Sequence, residues 1–157
     1  MTAVGPILPR HDWERPADAD LVATVAQVPL FAKLSRRQIR KLARDAELAA
    51  FVPGDVVLRD GAAADFFYVV LRGEGELREE GGALRLRSGE YFGETALLDG
   101  RNQSATVVAT DELQVLRLPG AGFLRLLRRN PAIAFALLKH VGDRVQRRDP
   151  RLIARAA

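Results

Sequence analysis

The chain has 157 residues, no cysteine, 48% hydrophobic content and a formal charge of +4 that comes mainly from arginine. That length is enough for one domain with its own core, while the lack of cysteine excludes disulfides and thiolate zinc sites and favours a cytoplasmic setting. Apolar runs such as 66–71 and 133–138 are too short to cross a bilayer, and no basic-then-apolar leader opens the chain.

Residues 1–19 carry Pro6, Pro9 and Pro16 with little periodic apolar content, so a flexible arm is expected, with Trp13, the only tryptophan, as its pin. The folded body is expected over 20–149. A short helix fits 20–27, and a second starts at Ser35. There Gln38 makes a capping box, and Ile39, Leu42, Ala43 and Ala46 give one apolar face.

From Leu48 the apolar period shortens towards two, and Gly54, Gly61, Gly73, Gly81, Gly82, Gly89 and Gly100 punctuate short segments. This is the pattern of an antiparallel sandwich or jelly roll. Glu80-Gly81-Gly82-Ala83 predicts a tight hairpin between 76–78 and 84–86. A last strand fits 113–118 and a helix fits 121–129. Asn130 then caps a further helix with Pro131 at its first position. Along it Ala134, Leu138, Val141 and Val145 form a stripe suited to covering a β pocket or pairing with a second copy. Asp149-Pro150 stops this helix, leaving a short basic tail over 150–157.

Arginines gather at Arg36, Arg37 and Arg40, at Arg125, Arg128 and Arg129, and at Arg144, Arg147, Arg148, Arg151 and Arg155. Such clusters suit phosphates or an acidic partner. Solvated helix faces are the commoner explanation, so charge alone does not argue for nucleic-acid binding. Enzymatic readings find little support. The serines are Ser35, Ser88 and Ser104, and there is no cysteine to act as a nucleophile. Neither a G-x-x-x-x-G-K-[ST] loop nor a G-x-G-x-x-G after a strand occurs. His11 and His140 alone make no metal constellation. The expectation is a non-enzymatic chain that requires no cofactor.

The run Phe92–Val107 reads F-G-E-T-A-L-L-D-G-R-N-Q-S-A-T-V. It opens with a glycine and a carboxylate, forms a short apolar turn, passes Asp99-Gly100 and returns to a β-branched strand, which predicts a pocket between two strands. The run resembles the phosphate-binding cassette of the cyclic nucleotide-binding domain family, roughly F-G-E-x-A-L-L-x-G-x-x-R-[ST/A]-A-T-V. It matches at Gly93, Glu94, Ala96, Leu97, Leu98, Gly100, Ala105, Thr106 and Val107, but Gln103 stands where the family has arginine. Pro53-Gly54-Asp55, Asp60-Gly61, 65–70 and 72–76 are similar to the family's upstream strands and turns. Pro29-Leu30-Phe31 and the Ser35 helix resemble its N-terminal segment, and Phe123-Leu124 and Asn130-Pro131 its closing helices.

The resemblance implies a mainly β, α+β fold: an antiparallel jelly-roll β-barrel (double-stranded β-helix) flanked by N-terminal helices and two C-terminal helices. It implies cAMP or cGMP as ligand, with Gly93, Glu94, Thr95, Ala96, Gln103, Ser104 and Ala105 as the binding set. Glu94 would accept from the ribose 2′-hydroxyl, and amides of a short helix starting near Glu94 would receive the phosphate. The arginine of the family clamps that phosphate. Removing one partner of a buried charge pair costs about 2–5 kcal/mol, roughly 30-fold to several-thousand-fold in affinity. Glutamine keeps an N–H donor but no charge.

Arg101, two residues earlier, shares a face with position 103 on an extended segment and is a candidate substitute; the alternative is that it points to solvent. Ser104 suits a phosphate or a guanine edge, or is an ordinary strand-entry hydroxyl. Glu94 binds ribose, or else caps or pairs with a nearby arginine. Arg144 is expected to be exposed unless it reaches the base, and His140 to lie at the surface.

Three readings follow. The first is a regulatory domain of Crp/Fnr-like type that senses cAMP or cGMP and relays it through its C-terminal helices. The second is a degenerate domain, without nucleotide, that serves as an interaction or dimerisation module through the C-terminal helix or with an unidentified protein partner. The third, the effector half of a transcription regulator, finds no helix-turn-helix between Pro150 and Ala157, so no DNA-binding domain is expected in this chain.

Overall fold

The computed structural model describes Trp13 and residues 18–147. The arm expected over 1–19, Trp13 apart, and the Asp149-Pro150 stop and basic tail lie outside the described residues.

The chain opens with α1 (Asp18–Ala26), a 3-10 turn at Pro29–Phe31 and α2 (Arg36–Arg44). The capping box is present: Gln38 N–H donates to Ser35 Oγ at 3.2 Å, and Ser35 N–H donates to Gln38 Oε1 at 3.0 Å. Eight strands follow: β1 (Glu47–Phe51), β2 (Val56–Leu58), β3 (Phe66–Arg72), β4 (Gly75–Glu79), β5 (Gly82–Leu86), β6 (Tyr91–Phe92), β7 (Ala105–Ala109) and β8 (Leu113–Pro119). A short helix, α3 (Glu94–Asp99), sits between β6 and β7, and α4 (Gly120–Arg129) and α5 (Pro131–Arg147) close the described chain.

The strands form two antiparallel four-stranded sheets, ordered β1-β8-β3-β6 and β2-β7-β4-β5. The jelly-roll reading holds: the two sheets pack around a shared apolar layer and are not closed on each other. The hairpin pairs Glu79 with Gly82, so Glu80 and Gly81 form its turn. Gly73 shows why glycines mark the strand ends, because a Cβ there would sit 1.7 Å from the Glu112 carbonyl oxygen.

Strand β3 serves two cores. Side chains on a strand alternate between faces, and here Phe67 and Val69 join α1, α2, α4 and α5, whereas Tyr68 and Val70 join the layer between the sheets. Phe67 stacks on Phe123 of α4 with centroids 3.8 Å apart. Burial on both faces explains why β3 reads as a continuous apolar run. At the edge of the inter-sheet layer the Arg117 guanidinium lies between the rings of Trp13 (4.3 Å) and Phe66 (3.9 Å), and its Nε donates to Glu47 Oε1 at 2.8 Å.

Two expectations about the last helices need correction. Pro131 does open α5, but Asn130 does not cap it through its side chain. Asn130 Oδ1 accepts from Gln38 Nε2 (3.1 Å) and its Nδ2 donates to the Leu126 carbonyl (3.0 Å), so it ties α2 to α4. Nor is the inward stripe of α5 the expected one. Ile133, Leu137 and Arg144 are buried, whereas Leu138 and Phe135 are 68% and 73% exposed. The side chain of Val145 lies outside the described residues.

Candidate functional site

The site is built where β6 turns into α3. Gly93 adopts φ +86, and a Cβ there would come within 2.9 Å of Tyr68 Cδ2 and 3.1 Å of the Phe66 carbonyl oxygen. Only glycine combines that backbone angle with that close approach. The turn sends the next residue, Glu94, inward, where it is fully buried.

A buried carboxylate needs a partner, and α5 supplies it. Arg144 Nη1 donates to Glu94 Oε2 at 3.0 Å and to Oε1 at 3.2 Å, bridging 50 residues of sequence. The other guanidinium nitrogen, Nη2, donates to the Tyr91 carbonyl and lies 3.0 Å from His140 Nε2. His140 stacks on the Tyr91 ring with centroids 4.0 Å apart. The Tyr91 hydroxyl is pushed above its ordinary range, first by burial and then by the Glu94 carboxylate, with Arg144 acting the other way. Arg144 and His140 are therefore part of the cassette's support, against the expectation that both face solvent. A signal was present in the sequence: Ile133, Leu137, His140 and Arg144 recur at three- and four-residue steps, so one helical face carries both apolar and polar groups.

Gln103 precedes β7 and falls two residues before Ala105, which faces the inter-sheet layer with Val107 and Ala109. It is 5% exposed. Its backbone is fixed to the β2–β3 loop, with Gln103 N–H donating to the Ala62 carbonyl (2.8 Å) and Gly61 N–H donating to the Gln103 carbonyl (2.7 Å). Its side-chain Nε2 is buried with no hydrogen-bond partner, as is Nε of Arg144. Both are donors without an acceptor in reach.

The remaining expected residues divide. Gly93, Ala96 and Ala105 are buried beside Glu94 and Gln103, whereas Thr95 and Ser104 are exposed. Thr95 Oγ1 does donate to Glu94 Oε2 at 3.3 Å. Arg101 is exposed and lines a cleft of about 540 Å³ that includes Ala96, Leu97 and Gly100 of the cassette together with Asp65, Gly120 and Leu124. Ordinary solvation, the alternative reading of Arg101, fits that position. Among the described residues no cluster of three or more His, Cys, Asp or Glu could hold a metal, and no helix is long and apolar enough to cross a membrane.

Fold and site together define a small β-sandwich domain in which a glycine-led helical turn between two strands is held from behind by the last helix. The chain belongs to the cyclic nucleotide-binding domain family, whose sequence profile matches residues 48–130. It is 39% identical over 104 residues to the cAMP-dependent protein kinase regulatory subunit of Yarrowia lipolytica, covering 64% of this chain and 28% of that protein. The chain thus spans little more than a quarter of that relative's length. A cAMP complex of the regulatory domain of Toxoplasma gondii PKA has the same fold, with a TM-score of 0.70 and 22% identity, covering 80% of this chain and 50% of that one. So does the regulatory subunit of a cAMP-independent protein kinase A from Trypanosoma brucei (TM-score 0.62, 19% identity, 78% and 51% covered).

Proposed function

We propose that this domain is a regulatory module that takes up a ribose-bearing ligand of the cAMP or cGMP type at Glu94 and Gln103 and relays its presence through α5. The observation that carries the reading is the Glu94–Arg144 pair, because it joins the ribose-binding residue of the family cassette directly to the last helix. A carboxylate offers about four lone-pair sites. Arg144 and Thr95 occupy three of them, which leaves an acceptor for a ribose 2′-hydroxyl. A hydroxyl bound there shares with Arg144 the carboxylate that holds α5. The hold on α5 then depends on ligand, as a population shift requires.

The fold does not choose the ligand, since neighbours of the same fold include a cAMP complex and a subunit of a cAMP-independent kinase. Calorimetry with cAMP and cGMP on wild type and Gln103→Arg tests the reading. The arginine variant is expected to bind at least one of them roughly 30-fold or more tighter than wild type, the affinity that a restored charge pair returns. Silence of both proteins towards both nucleotides removes the small-molecule reading.

A second reading, an interaction module that works without nucleotide, is favoured by a different observation. Phe135 and Leu138 stand exposed on the outer face of α5, and Gln103 has replaced the clamp. In this reading α5 pairs with a second copy of itself.

A further inference from the structure

Positive charge is concentrated on two helices that frame a groove. Every charged residue of α2 and α4 is lysine or arginine, although the whole chain carries only +4. Between these helices lies a cleft of about 180 Å³. Leu42, Leu118, Phe123 and Leu126 give it apolar walls, and the hydrogen bond from Gln38 to Asn130 crosses between the helices within its lining. Lys41, Arg125 and Arg129 stand exposed along it, with Asp45 as the one carboxylate of the described lining. Among the described residues none of these three cations enters an ion pair.

A glycine keeps this groove open. Glycine is a poor helix former, so its presence in a helix calls for a reason. Gly120 has one, since a Cβ there would lie 2.4 Å from Leu97 Cδ2. Gly122, in the lining of the groove, has neither a positive φ nor a close neighbour: the nearest atom to a Cβ would be Arg125 Nη2 at 3.9 Å. Packing does not require glycine at 122, and its effect is to leave space beside the apolar walls. An apolar cavity of about 150 Å³ takes up a benzene, so this cleft has room for one ring-sized apolar group.

We infer that the α2–α4 groove docks an acidic segment of a partner protein, with one apolar side chain seated between the helices and carboxylates met by Lys41, Arg125 and Arg129. The recessed apolar walls decide among anionic partners. A membrane is held by apolar groups that protrude into it, and a nucleic acid by phosphate contacts that have no use for an apolar cleft. A peptide carries both chemistries on one chain, as in helix-in-groove recognition. The buried anchor supplies most of the affinity, while exposed charge pairs add little each and set the sign of the partner. The groove is lined without Glu94, Gln103 or Arg144, so this docking stands or falls apart from nucleotide binding.

Selection of a phage-displayed random peptide library on the full chain tests this, followed by fluorescence-anisotropy titration of the recovered peptides. Their sequences are expected to be acidic with an apolar residue, and their affinity to fall as salt rises. Gly122→Leu fills the groove with a better helix former and leaves the buried stack of Phe123 on Phe67 untouched. It should weaken binding roughly 30-fold with no loss in thermal midpoint. Gly122→Ala, which keeps the groove open, should bind as wild type does. Arg125→Glu/Arg129→Glu should weaken binding about tenfold. Recovery of no peptide, recovery of peptides without acidic bias, or binding that Gly122→Leu leaves intact overturns the inference. So does tighter retention of the chain by duplex DNA or phosphatidylserine vesicles than by the recovered peptides, which assigns the basic helices to a phosphate surface.

Discussion

At the scale of the residue, the Glu94–Arg144 pair decides how the cassette is held. Both side chains are nearly or fully enclosed, so removing either one strands a charge in the interior. Glu94→Gln and Arg144→Met are each expected to cost about 3–5 kcal/mol. The double variant should cost clearly less than their sum, because it strands neither charge. Urea denaturation of all four proteins measures the coupling, and strict additivity would show that the pair contributes nothing.

Tyr68 gives a second handle at this scale. Its hydroxyl is pushed up to about 12, mainly by burial, with Arg117 opposing and Asp65 reinforcing the shift. Since the folded-state value lies above the ordinary value of 10.0, the unfolded chain loses its proton first. Stability is then intact below about pH 10 and falls as the pH rises through about 12, by roughly 2–3 kcal/mol from this group. Tyr68→Phe keeps the ring against Phe92 and should flatten that part of the decline in urea midpoints. An unchanged slope would show that Tyr68 ionises as freely in the folded state as in the unfolded chain.

At the scale of the element, Asn130 separates two roles that sequence cannot. As a helix cap, asparagine and aspartate are equivalent, and Asn130→Asp would be silent. As the tie between Gln38 and the Leu126 carbonyl, it needs its amide donor. Asn130→Asp is therefore expected to lower stability by about 1–2 kcal/mol, read as a shift in thermal midpoint.

The same contrast shows what was legible. Short-range chemistry could be read directly. The Ser35–Gln38 box, the glycine-punctuated strands, the hairpin at Glu80-Gly81 and the Gly93-Glu94 turn all depend on residues within a few positions of one another. Pairings across long separations could not be read this way. Arg144 is 50 residues from Glu94 and Asn130 is 92 from Gln38, and an arginine on an amphipathic helix reads as solvated until its partner is placed. The inward turn of Gln103 was readable from its period-two relation to Ala105. Its unpartnered amide became visible only with the surroundings in place.

At the scale of the whole molecule, the two cores share the sheet β1-β8-β3-β6, so the helices and the second sheet are coupled through a common layer. On the opposite side of α5, Phe135 and Leu138 remain uncovered. If α5 pairs with a second copy, sedimentation should show concentration-dependent dimers that Phe135→Ser/Leu138→Ser converts to monomers. A wild type that stays monomeric at high concentration would remove that reading.

The position of Trp13 has a practical use. The chain contains one indole, and that indole rests against Phe51, Tyr68 and the Arg117 guanidinium. Its emission therefore reports a single spot at the rim of the sandwich, unmixed with any other. The protein carries a built-in optical gauge by which events at that rim can be timed without attaching a dye.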